Sequence, residues 1–106
     1  MESSVFVLTR GIYSDTVTDS VWRSLDLALC RLAEIKTLAL TGKFDVWDAA
    51  GEWVVEELPL DRVGFPISWK AYSLNLLVTK LDHDPYFLLD DTGPIVMTVF
   101  HDYDKQ

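Results

Sequence analysis

SLDLALCRLAEIKTLALTG, residues 24–42, is the stretch whose reading decides the fold. Leu25 to Leu40 is rich in Leu and Ala and contains neither Pro nor Gly, so nothing in it opposes a helix. Leu25, Ala28, Leu29, Leu32, Ile35 and Ala39 recur at three-and-four spacing and define one apolar stripe. Asp26, Arg31, Glu34 and Thr37 trace the opposite side. Ser24 stands where an N-cap hydroxyl is wanted, and Gly42 where a left-handed residue closes the last turn. A helix of this length spans roughly 24 Å, enough to cover one face of a small sheet.

The flanking segments supply that sheet. Val5 to Arg10 is β-branched and aromatic with apolar residues on both faces, and it stops at Gly11. Tyr13-Ser14-Asp15 reads as a turn. Residues 16–22 then alternate as a second strand, with Val17 and Val21 expected on one side. After the helix, residues 43–51 read as a plain connection. Glu52 to Leu58 reads as a third strand that Pro59 ends, since proline has no N–H to donate. A loop over 61–68 follows. The parity of Trp69 to Leu81 favours one strand, because a helical stripe there ends on Lys80. Tyr86 to Leu89 and Ile95 to Phe100 read as a hairpin around the turn-rich residues 90–94. The order β-β-α-β-β-β predicts an α+β domain over 1–106: an antiparallel sheet of about five strands with the helix on one face.

Seventeen acidic residues against nine basic give a net charge of −8 over 106 residues. Phosphate contact needs a basic face, so direct nucleic-acid binding is disfavoured. With 49% hydrophobic residues, the chain has enough apolar surface for one core. No apolar run approaches the roughly 20 residues of a membrane span. The N-terminus has no basic n-region. The single cysteine, Cys30, cannot form an internal disulfide, and mid-helix it reads as a half-buried structural thiol. These features together point to a cytoplasmic protein without a cofactor.

Two strings invite a catalytic or metal reading. Leu88-Leu89-Asp90-Asp91-Thr92-Gly93 resembles the active-site loop of retroviral-type aspartic proteases, in which two aspartates share a proton. Only 13 residues follow Gly93, too few for the rest of such a barrel, and the next residue is Pro94. A turn whose Asp and Thr cap backbone groups is the better reading. In a hairpin centred near Thr92, His83 and His101 would be cross-strand partners, with Asp82, Asp84 and Asp102 beside them. Such a set could hold a divalent transition metal. Pro85 interrupts that ladder, and histidines facing water are the simpler expectation. No catalytic residue is assigned.

Aromatic and acidic residues stand out instead. Trp22, Trp47, Trp53 and Trp69 are many tryptophans for one small core, and Trp53 is expected against the helix. Trp47, Trp69 and Tyr13 lie in or beside loops amid charge, the composition of interface hot spots. Residues 82–106 carry six aspartates against one lysine. Asp82, Asp84, Asp90, Asp91 and Asp102 therefore join the three aromatics as candidate partner-binding residues, suited to a protein with a basic surface.

Val5-Phe6-Val7-Leu8-Thr9-Arg10-Gly11-Ile12-Tyr13-Ser14-Asp15, then Val17 and Val21-Trp22, resembles the opening of a family of small phage and bacterial proteins. Glu52-Trp53-Val54-Val55-Glu56-Glu57-Leu58-Pro59-Leu60-Asp61 is similar to that family's acidic strand. The likeness covers about the first 60 residues and implies a phage setting, where small acidic proteins often inhibit host enzymes or defence complexes. The expected function is that of a non-enzymatic inhibitor covering a basic or nucleic-acid-binding surface of a CRISPR-type defence protein. A metal or small-ligand site at His83 and His101, and a structural phage component that self-associates through a strand edge, are the alternatives. The oligomeric state stays open.

Overall fold

The helix forms where its pattern places it. In the computed structural model, which describes residues 4–11, 16–60, 66–80 and 87–103, α1 runs Leu25–Leu40. Ser24 Oγ accepts the Leu27 N–H, and Ala28, Leu32, Ile35 and Ala39 are buried. The helix closes as a Schellman motif. Gly42, at φ 78°, donates to Ala39 O, and Lys43 donates to Leu38 O at 2.7 Å. Cys30 is exposed on this helix rather than half-buried, because the stripe turns away at its position.

The sheet is antiparallel, with strands in the order β2-β1-β3-β4-β7: β1 is Ser4–Arg10, β2 Val17–Trp22, β3 Trp53–Pro59, β4 Ser68–Ser73 and β7 Val96–Asp102. α1 covers one face, where Leu8, Val55, Trp53 and Tyr72 meet its buried stripe. Trp53 is fully buried, and its Nε1–H donates to Ala49 O at 3.1 Å while Phe44 tilts against it at 6.1 Å. Burial pushes the Tyr72 hydroxyl above its ordinary value. The α+β class, the single main helix and the five-stranded sheet follow the sequence reading.

Four local expectations are corrected. A bulge between Leu8 and Thr9 leaves Asp19 without a ladder partner. Val21 therefore pairs with Val7 and Val17 with Arg10, on opposite faces of β2. The connection after α1 contains a second helix, α2, over Val46–Ala50; Asp45 caps it by accepting the Trp47 and Asp48 N–H groups at 2.9 and 3.1 Å. The stretch 69–81 does not stay one strand. It breaks at Leu74-Asn75, with Asn75 at φ 55°, into β4 and β5 (Leu76–Lys80).

The last correction concerns the hairpin. β6 (Phe87–Asp91) pairs with β5, from Lys80 opposite Phe87 to Leu76 opposite Asp91. β7 pairs with β4, from Ser73 opposite Val96 to Ser68 opposite Asp102. Residues 68–80 and 87–102 are thus two limbs of one long bent ribbon, and Asp91-Thr92-Gly93 is its bend rather than its reversal. Thr92 donates both its N–H and its hydroxyl to Asn75 O, at 2.8 and 2.7 Å, and Asp91 accepts the Gly93 N–H. Asn75 Nδ2 donates to Pro94 O across the bend. Leu74, Leu76, Leu89 and Ile95 bring the bent part onto the core. The ribbon leaves the molecule elongated, 55 × 22 × 21 Å, with a radius of gyration of 15.4 Å where a compact chain of this length gives about 13 Å.

Candidate functional site

Gly11 ends β1 at φ 87° and donates its N–H to Glu52 O at 3.0 Å. That bond ties the β1–β2 connection to the start of β3. Two clefts flank it, one on each side of the sheet.

The first cleft, about 200 Å³, is lined by Arg10, Gly11, Val17, Trp47, Asp48, Gly51 and Glu52. Trp47 stands on its rim, 57% exposed. The cap on Asp45 and the burial of the neighbouring Ala49 fix α2, so Trp47 is presented outward by a short rigid element. Arg10 forms an ion pair with Asp48 across the cleft. One guanidinium thus faces two carboxylates, those of Asp48 and Glu52, and the lining remains acidic.

The second cleft, about 120 Å³, lies on the face away from α1 and is lined by Thr9, Gly11, Thr16, Val54, Glu56 and Trp69. Trp69 sits between Glu56 on β3 and His101 on β7, its ladder partners. The His101 ring meets Tyr103 edge-on at 4.3 Å. A row Glu56–Trp69–His101 therefore crosses three strands of one face.

The structure sorts the sequence candidates accordingly. Trp47 and Trp69 come to opposite sides of one end of the sheet, both beside Gly11. Tyr13, Asp82, Asp84 and His83 lie outside the described residues. Asp90 and Asp91 lie on β6, paired with Leu77 and Leu76 of β5, and line neither cleft. Asp91 binds Lys36 of α1 at 2.9 Å, and this bond, with that from Gly93, holds its carboxyl below the ordinary value. Asp102 lies at the end of β7, opposite Ser68. On the β4 side Trp69 occupies the position opposite His101, and the expected partner His83 lies outside the described residues. Among the described residues, no three His, Cys, Asp or Glu side chains gather as a metal-holding group.

Arg10, Asp48, Glu52 and Glu56 are the site residues that sequence reasoning missed. Asp48 follows Trp47 directly and was legible as its neighbour. The approach of Glu52 and Glu56 depends on the β1–β3 pairing, which no local pattern carries. Compared with known proteins, the chain matches no family model, no curated protein and no solved structure.

Proposed function

We propose that the chain is a non-enzymatic binding protein whose aromatic, acidic end around Gly11 docks on a basic surface of another protein. The observation that carries this reading is Trp47, more than half exposed on a rigid helix beside Asp48 and Glu52. A large exposed aromatic ring in a cleft where two carboxylates outnumber one guanidinium suits an arginine- or lysine-bearing surface: the ring supplies apolar area and a face for a cation, and the excess carboxylate supplies charge. The excess of acid over the whole chain adds long-range attraction to such a partner. With the N-terminal resemblance, this supports a phage-encoded inhibitor that covers the nucleic-acid-binding surface of a defence protein of the CRISPR type, inside the host cytoplasm.

The test is capture from bacterial lysate on the immobilised chain, at low and at physiological salt, with Trp47→Ala in parallel. The expected result is a basic protein that is retained less at higher salt, is lost with Trp47→Ala, and releases its nucleic acid when the chain is added. Recovery of no protein at either salt, or of one retained equally by Trp47→Ala, overturns the reading.

A further inference from the structure

β7 is an edge strand, and among the described residues no strand lies on its outer side. Natural edges are blunted with lysine, proline, inward charge or a bulge. From Val96 to His101, β7 has no lysine, proline or carboxylate, and its one irregularity is the bulge at Thr98. Its Val96, Met97, Val99 and Phe100 are instead 41–52% exposed. Met97 and Phe100 lie on the α1 side of the sheet and Val96 and Val99 on the other, so the edge is apolar on both faces.

We propose that this edge pairs with the same edge of a second copy, as an antiparallel two-fold ladder that joins two five-stranded sheets. The bulge at Thr98 is what makes the strand self-complementary. It sets Met97 opposite Tyr72 and Phe100 opposite Lys70, so both side chains lie on the α1 side of the sheet. A two-fold axis between Thr98 and Val99 then places Met97 of one copy against Phe100 of the other, twice. Val96 and His101 meet in the same way on the opposite face.

The cross-strand match selects a second copy, and the edge lacks the carboxylates that suit the Gly11 end to a basic partner. Val96 to His101 carry no carboxylate, while the two Asp102 residues fall at opposite ends of the ladder, roughly 20 Å apart. A single ladder between two edges is a small interface, at the weak end of specific ones, and the expected dimer is a weak one. Because each copy carries −8, it is tightened by salt, whereas docking on a basic partner is weakened by it.

Sedimentation of the purified chain from about 10 to 500 µM reads the association directly. The expected mass rises toward twice 12.1 kDa, and rises further in high salt. Val99→Asp, which puts two carboxylates beside the axis, is expected to weaken association at least tenfold with an unchanged circular dichroism spectrum. Amide exchange of the unmodified chain gives a second readout that needs no variant: protection concentrated in β7 and growing with concentration. A monomer at every concentration and salt overturns the proposal, as does dimerisation that Val99→Asp leaves intact while protecting β2. Protection of β7 that appears only on adding a basic partner also overturns it, and assigns the edge to that partner.

Discussion

Asp19, the residue that the β1–β2 bulge leaves without a ladder partner, holds the Arg31 guanidinium of α1 in a fork, with Oδ2 2.9 Å from Nε and Oδ1 3.2 Å from Nη2. Ser20 donates to the same carboxylate at 2.9 Å and accepts the Trp22 indole N–H at 2.6 Å. The bulge thus converts an extra residue into the clamp between the outer strand and the helix. Burial by itself raises the Asp19 carboxyl, but the bonds from Arg31 and Ser20 and the nearby positive charges outweigh it and leave it below its ordinary value.

Asp19→Asn is expected to cost about 1–2 kcal/mol at pH 7, between the values for exposed and buried pairs. The pH dependence has a definite sign. A depressed carboxyl contributes its full stability above the unfolded aspartate value near 3.8 and loses it as pH falls through the lower folded value. Urea midpoints should therefore fall more steeply for the unmodified chain than for Asp19→Asn below about pH 5.

The two tryptophans of residues 47–53 should behave oppositely. Trp53→Ala removes a fully buried side chain together with its bond to Ala49, and is expected to cost about 3–5 kcal/mol. Trp47→Ala, on the rim of a cleft, should stay within about 0.5–1 kcal/mol. Thermal melts of both variants check the contrast. A Trp47→Ala loss as large as that of Trp53→Ala would make Trp47 a packing residue rather than a docking one.

Gly42 and Gly51 separate backbone conformation from available space. A Cβ at Gly42 meets nothing within 4 Å, yet φ of +78° strains it, so Gly42→Ala should cost about 1 kcal/mol. Gly51 sits at φ −74° with its nearest neighbours at an ordinary 3.5 Å. Gly51→Ala is accordingly expected to be neutral, or stabilising by about 0.5 kcal/mol through the unfolded chain. Denaturant unfolding of the pair checks the order.

The ribbon's bend turns on Asn75, the one described non-glycine residue with positive φ. Asn75→Ala keeps the strain and loses the bond to Pro94 O, so about 1–2 kcal/mol should be lost. Asn75→Gly removes the bond but relieves the strain, and should lose less. Amide protection in β5 and β6, measured by hydrogen exchange, should drop in the alanine variant before that of β1 and β3.

Legibility in the sequence followed the range of the signal. α1, with both its caps, is written in neighbours three and four residues apart, and β1 and β3 in runs of β-branched residues that end on Gly11 and Pro59. The ribbon was not legible, because two turn-rich segments compete for the reversal. Asp91-Thr92-Gly93-Pro94 carries the stronger local turn chemistry, but a reversal there does not set Leu76 and Leu89 together on the core, as pairing β5 with β6 does. α2 escaped notice because five residues hold no full period; its only mark was the capping Asp45. Of the candidate site, the exposed aromatic beside acid was visible at Trp47. The convergence on Gly11 required the pairing of β1 with β3.

The facing bends of the ribbon also constrain how this sequence can drift over generations. A residue inserted in one limb between Ser73 and Leu76 slides every later pair unless another enters between Asp91 and Val96, and a slip of one turns each side chain to the wrong face. Related chains should therefore change the lengths of these two limbs only in step. At position 75 they should exchange asparagine for glycine or aspartate alone, the residues that tolerate a left-handed backbone.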